Sequence, residues 1–150
     1  MKAQIAIYVG AFLLFGSKIL ILQRSRVERS YANLWEIPGG RMKPTETLFE
    51  ACVRETLEET GIGIQRGEPV SVMEFWKNTN LSRTNCVQVN FLCALTDAMG
   101  MAEIVLSSEH ERYRWVPWNS FGEGLTSHEL RDSWRSAALK MEVAATRCEK

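Results

Sequence analysis

The sequence has no excess of charge of either sign. Lys plus Arg number 18 and Asp plus Glu number 18, so the chain is neutral at pH 7. That excludes a global field drawing in nucleic acid or an anionic membrane, and a polyanionic ligand must be gripped by local groups. Cysteine is sparse. Cys52, Cys86, Cys93 and Cys148 include no C-x-x-C pair, and no histidine stands near one of them at zinc-finger spacing. A zinc ribbon and a disulfide scaffold are thereby excluded, and the thiols read as reduced ones in a cytoplasmic protein. No repeat, linker or low-complexity stretch divides the chain. Its 150 residues fit one domain, 1–150, able to bury about two thirds of its unfolded surface. With 45% hydrophobic residues the chain is not a disordered one.

One apolar run is long. Residues 5–22 read IAIYVGAFLLFGSKILIL, interrupted by Gly10 and Gly16-Ser17-Lys18. Eighteen residues just reach the length of a membrane span, but Lys18 would place a charge in hydrocarbon. A signal peptide fits poorly, because Gln-Arg-Ser-Arg follows Leu22 where small residues belong. The run reads better as two strands buried on both faces, Ile5–Phe15 and Lys18–Gln23, turning at Gly16-Ser17. Further on, Trp35–Ile37 is a short strand stopped by Pro38-Gly39-Gly40. Strands are expected near Val70–Trp76 and Cys86–Leu95, with a polar hairpin loop over Asn78–Asn85. Ala102–Leu106 is a candidate short strand and Tyr113–Val116 a last one. Leu130, Trp134, Ala137, Ala138 and Met141 fall on one stripe of a helix over 127–144.

The central segment carries the chemistry. Thr47 and Glu50 have capping-box spacing, and Gly61 suits a C-cap, so a helix runs from about Thr47 to Thr60. Glu55, Glu58 and Glu59 share one face at i, i+3 and i+4, opposite an expected packing face of Phe49, Val53 and Leu57. Three clustered carboxylates repel, and hard divalent cations with oxygen ligands would compensate.

Around this helix the spacing is stricter. Gly40, Glu46, Arg54, Glu55, Glu58, Glu59 and Gly61 match all seven fixed positions of G-x5-E-x7-R-E-U-x-E-E-x-G-U, where U is apolar. From average residue usage, a chance match in this length is about one in a million. Thr56 at the first U position is the one departure, and its methyl can still pack. The pattern resembles the Nudix box, and the chain is similar to the small MutT-like Nudix hydrolases. The resemblance implies an α/β/α sandwich with a mixed sheet and a catalytic loop–helix–loop. It implies hydrolysis of a phosphoanhydride bond in a nucleoside diphosphate linked to a second moiety, by water attack at phosphorus. It assigns Glu55, Glu58 and Glu59 as ligands of Mg²⁺, with Mn²⁺ as a substitute, and Glu55 or Glu59 as acceptor of the water's proton. The carbonyl of Gly40 or Gly39 is a further oxygen ligand. Arg54 and Glu46 support the site, the arginine by forked hydrogen bonds to a carboxylate.

Outside the box the residues say less. A further glutamate from a loop near the metals is expected of the family; in Ser107–Glu111, Glu109 is the first candidate, with Glu111 and Glu103 as alternates. Arg24 and Arg26 can reach phosphates, and Trp35, Trp76, Trp115 or Trp118 can stack a base. His110 and His128 read as surface residues. The proline expected of ADP-ribose hydrolases and the tyrosine expected of dinucleoside polyphosphate hydrolases are missing after the box. A nucleoside triphosphate or modified nucleotide is therefore the first choice of substrate. Neither nucleic acid nor membrane is expected as a partner, and a homodimer is open. Two other readings stay open: a nucleotide sensor without turnover, and an RNA 5′-pyrophosphohydrolase, against which the absent basic stripe weighs.

Overall fold

The computed structural model describes residues 4–78, 82–120 and 127–148 and, beyond position 140, the side chain of Glu142 alone. The long apolar run folds as the hairpin its turn residues require. β1 (Ile5–Phe15) and β2 (Lys18–Arg24) pair antiparallel, and Gly16 takes the left-handed φ of 58° that the two-residue turn demands. Next come β3 (Trp35–Glu36), β4 (Gly39–Arg41), α1 (Leu48–Thr60), β5 (Glu68–Asn78) and β6 (Arg83–Ala94). The chain ends with α2 (Asp97–Gly100), β7 (His110–Pro117), a 3-10 turn (Trp118–Ser120) and α3 (His128–Cys148).

The strands form one mixed sheet in the order β3-β2-β1-β6-β5, with β4 beside β1 and β7 beside β2. Among the described residues only β1 and β6 run parallel. Both faces of the sheet are covered, which is why its central strands are apolar without alternation. Val9, Ala11, Leu13, Leu20, Leu22, Phe91 and Cys93 pack toward α1 with Ala51, Cys52, Ile62 and Ile64. Phe12, Ile19, Ile21, Trp35, Ile37 and Val70 pack toward α3 with Leu130, Trp134 and Ala137. Each fully buried leucine or isoleucine contributes roughly 1.5–3 kcal/mol, so this hairpin anchors both layers. The result is the expected α/β/α sandwich. Among the described residues no helix is long and apolar enough to cross a membrane.

Some expectations fail. Ala102–Leu106 is not a strand. It follows the single helical turn α2, capped by Thr96, and is tied to the end of α1 by the Val105 N–H donating to the Thr60 carbonyl at 2.9 Å. Gly39-Gly40 does not only stop β3 but starts β4. The loop after β5 is shorter than Asn78–Asn85, since Asn78 pairs with Arg83; residues 79–81 lie outside the described ones. His110 is buried, its ring closed off from solvent, while His128 is exposed as expected. Cys52, Cys86 and Cys93 are free and buried. The side chains of Met141 and Cys148 lie outside the described residues.

Candidate active site

The site begins with how α1 is started and stopped. The Glu50 N–H donates to Thr47 Oγ1 at 3.2 Å and the Thr47 N–H donates to Glu50 Oε2 at 2.8 Å, the reciprocal capping box. Gly61 ends the helix at φ 78°, its N–H donating to the Leu57 carbonyl at 2.9 Å.

The helix is rolled by about one residue, roughly 100°, from the expected packing face. Phe49 and Val53 do pack, but Leu57 is 52% exposed, and the fully buried line runs through Cys52, Thr56 and Thr60. Thr60 Oγ1 donates to the Thr56 carbonyl at 2.7 Å and accepts the Ile62 N–H at 3.1 Å, which lets Thr60 tolerate burial, whereas the Thr56 hydroxyl is buried with no partner among the described residues. The roll carries Glu59 inward, to 4% exposure, and leaves the Glu58 side chain 56% exposed. The three glutamates thus share a face by spacing and differ in environment.

Beneath them lies β4, whose glycines leave the space. A Cβ on Gly39 would sit 2.1 Å from the Val9 carbonyl oxygen, and a Cβ on Gly40 would sit 2.4 Å from Glu55 Cδ. Glu55 therefore rests on the Gly40 backbone, and Glu59 Oε2 accepts the Gly39 N–H at 3.0 Å. Burial pushes the Glu59 carboxyl up to about 9, against the Gly39 hydrogen bond, with the charges of Glu36, Glu55 and Glu109 adding to the rise. Burial also raises Glu55, opposed by Arg54 and reinforced by Glu58 and Glu109.

Arg54 spans the support. Its Nε and Nη2 fork onto the Glu46 carboxylate, the second contact at 3.0 Å, while Nη1 donates to Glu55 Oε1 at 2.7 Å. Nη2 also reaches the Arg41 carbonyl at 3.1 Å, and Glu58 Oε2 lies 3.6 Å from Nη1. The arginine's hydrogen bonds hold Glu46 down at about 2, with the Lys43 N–H assisting. Among the described residues no three His, Cys, Asp or Glu side chains form a ready-made metal group. Glu55 is held by Arg54, Glu59 by Gly39, and Glu58 is turned outward. The donor set nonetheless suits a hard cation: oxygen ligands only, over a glycine backbone, with Glu58 and Glu109 raising Glu55 and with Glu55 raising Glu59.

Of the loop candidates, Glu109 is exposed, and its charge bears on both Glu55 and Glu59. Glu111 is occupied: its Oε1 accepts from Ser25 Oγ at 3.1 Å and the Arg26 N–H at 3.3 Å. Glu103 lies exposed in the loop after α2. Arg24 spends its guanidinium on the Ser30 carbonyl (2.9 Å), Glu36 (3.2 Å) and Glu28 (3.4 Å). It lines a pocket together with Tyr8, Trp35, Glu36, Gly39, Gly40, Phe75, Lys77 and Gln88. Trp35 is a wall of that pocket and a core residue at once, with the Arg114 guanidinium 4.8 Å from its ring centroid. Trp76 instead stacks under Arg83, 4.0 Å from its ring centroid. Sequence reasoning missed Glu36, which accepts from Arg24 and pairs with His110 Nε2 at 2.8 Å, and all the strand residues of the pocket floor. Alternation within β5 and β6 was the available signal, but it does not say which face is open.

This arrangement defines a class: a carboxylate-bearing helix on an α/β/α sandwich, laid against a Gly-Gly strand at the mouth of a pocket. The chain belongs to the NUDIX domain family, whose profile matches residues 5–137. Nudix hydrolase 8 of Arabidopsis thaliana is 28% identical over 116 residues, 77% of this chain and 30% of the relative. The 8-oxo-dGDP phosphatase NUDT18 of Homo sapiens is 27% identical over 124 residues, 83% and 36% of the two chains. The CTP pyrophosphohydrolase of Escherichia coli (strain K12) is 41% identical over 63 residues, 42% and 46%. The chain spans 30% to 46% of the length of these curated relatives. Among solved structures, the MutT protein from Methanosarcina mazei Go1 superposes with a TM-score of 0.79 at 27% identity, covering 93% of this chain and 97% of that one.

Proposed function

We propose that this domain hydrolyses a phosphoanhydride bond of a nucleoside triphosphate, or of another nucleoside diphosphate linked to a second moiety, by attack of water at phosphorus. The observation that carries the reading is a shared backbone: Gly39 and Gly40, against which Glu59 and Glu55 lie, also line the pocket that Tyr8, Phe75 and Gln88 line. Phosphates belong beside the glycines and the carboxylates of α1, and a base against the aromatic and amide side chains.

Glu55, Glu58 and Glu59, with the Gly40 carbonyl, would hold Mg²⁺, or Mn²⁺ in its place. A divalent cation bound there neutralises phosphate charge and lowers the pKa of an attacking water. The protein's own contribution is order. Arg54, locked to Glu46, fixes the Glu55 carboxylate so that little reorganisation remains for the reaction. Burial favours the protonated form of Glu59 in the fold, and a cation held there would favour its carboxylate. Glu109 is the group free to take the water's proton, because it approaches from outside the helix and makes no side-chain ion pair among the described residues. Gly61 keeps the helix end in register. Arg24 and Trp35 form the pocket wall against which the nucleotide lies.

A panel of nucleoside triphosphates and nucleotide conjugates, assayed with Mg²⁺ and Mn²⁺ and with products identified by ³¹P NMR, tests the proposal. The expected products from a triphosphate are a monophosphate and pyrophosphate. Absence of metal-dependent turnover across the panel would refute it.

A further inference from the structure

The floor of the pocket is built from strand residues that the carboxylate chemistry does not use. Tyr8 pairs with Gln88 and Gly10 with Asn90 across the parallel β1–β6 ladder. Asn90 is wholly buried, so its amide must be satisfied inside the protein. Its Nδ2 donates to Ser133 Oγ at 2.8 Å and to Ser71 Oγ at 3.4 Å, and Ser133 Oγ donates to Ser71 Oγ at 2.7 Å. Asn90 Oδ1 accepts from Gln88 Nε2 at 2.7 Å. The reverse amide orientation would point two N–H groups at one acceptor on Gln88 and orphan one of them. Gly10 makes the room: a Cβ there would sit 2.3 Å from Asn90 Oδ1 and 2.7 Å from Gln88 Nε2. Gln88 is thus anchored by its nitrogen, and its Oε1 has no protein donor among the described residues. It lines the pocket beside the Tyr8 and Phe75 rings, whose centroids are 5.4 Å apart.

We propose that Gln88 is the base-reading residue of the pocket, its Oε1 accepting an N–H of the nucleobase, with Asn90 as the positioning residue that aims it. The inference rests on the nucleotide reading above and adds the ligand group that is read: a base edge offering an N–H donor.

Binding without turnover tests it. GMP, AMP, UMP and CMP are titrated calorimetrically into metal-free protein, with ribose 5-phosphate as the base-free probe. The N1,N2,N2-trimethyl, N6,N6-dimethyl, N3-methyl and N4,N4-dimethyl derivatives, in the same order, remove the donor. At least one unmodified monophosphate should outbind ribose 5-phosphate, and its methylation should cost about 5- to 150-fold in the wild type, the range for a good amide–base pair. Gln88→Leu should show the same loss, with no further effect of methylation. Asn90→Ala should flatten selectivity among the four bases while leaving ribose 5-phosphate unchanged. The proposal is overturned if methylation still matters in Gln88→Leu, if that variant weakens ribose 5-phosphate equally, or if no monophosphate outbinds ribose 5-phosphate. Base-dependent binding without hydrolysis of any nucleoside triphosphate or nucleotide conjugate would sink the hydrolase reading and leave this one standing.

Discussion

Glu59→Gln should stabilise the metal-free protein, and by an amount that depends on pH. In the folded state burial lifts the Glu59 carboxyl from 4.5 to about 9. A folded pKa above the unfolded one means the native state holds the proton more tightly. The resulting stability is complete below pH 4.5, is lost steadily as pH rises, and is gone above about 9. At pH 7 the wild type has lost on the order of 3 kcal/mol relative to acid conditions, at 1.36 kcal/mol per unit. Glutamine keeps the carbonyl that accepts the Gly39 N–H and has no charge to desolvate. Every other titrating group is common to both proteins, so their difference isolates this one. Thermal unfolding in chelator at pH 5, 6, 7 and 8 reads it. The two melting temperatures should nearly coincide at pH 5. By pH 7 the variant should lead by roughly 6–12 °C, at about 2–4 °C per kcal/mol for a domain of this size. Saturating Mg²⁺ should narrow that lead. A difference that does not change with pH, or one that favours the wild type as pH rises, would mean that Glu59 is ionised in the fold.

Arg54→Lys should lower stability by about 1–3 kcal/mol, because an ammonium cannot fork onto Glu46 and reach Glu55 together; full rescue of melting temperature and turnover would show that charge alone matters. Glu109→Gln should cut kcat by about 10²–10⁴-fold with an unchanged melting temperature, as its side chain is exposed; a loss below threefold would return this residue to an ordinary loop. Glu111→Gln should do the converse, loosening the Ser25–Arg26 turn and lowering the melting temperature more than kcat. Gly40→Ala should displace the Glu55 carboxylate, costing about 1–3 kcal/mol of stability and most of the activity; wild-type kinetics would show that Glu55 need not lie on β4.

What could be read in the sequence was whatever is encoded locally. The capping box Thr47/Glu50, the Gly61 cap and the Gly16-Ser17 turn each depend on a few neighbouring residues, and each formed where expected. The continuous apolar runs correctly implied strands covered on both faces. The roll of α1 was not legible, because Thr56 and Thr60 look polar in isolation; Thr60 enters the core by bonding back to the Thr56 carbonyl, and Thr56 is buried with its hydroxyl unpartnered among the described residues. The burial of Glu59 follows from that roll and from the space above Gly39 and Gly40, both tertiary facts. That Arg54 forks onto a carboxylate was expected; that the fork lands on Glu46, with a single bond left for Glu55, needed the tertiary arrangement. His110 looked like a loop residue because its partner Glu36 is 74 positions away. The pocket floor was silent for the same reason: Tyr8, Gln88 and Phe75 meet only through strand register.

The central claim is that the carboxylates of α1 serve Mg²⁺-dependent hydrolysis at phosphorus. The most direct measurement is the turnover of the best nucleoside triphosphate by wild type, Glu58→Gln and Glu59→Gln, side by side, across a Mg²⁺ titration. The account predicts pyrophosphate release by the wild type and a loss of about tenfold or more in both variants at limiting Mg²⁺, with folded proteins throughout. Near wild-type turnover in both variants at limiting Mg²⁺ would contradict it.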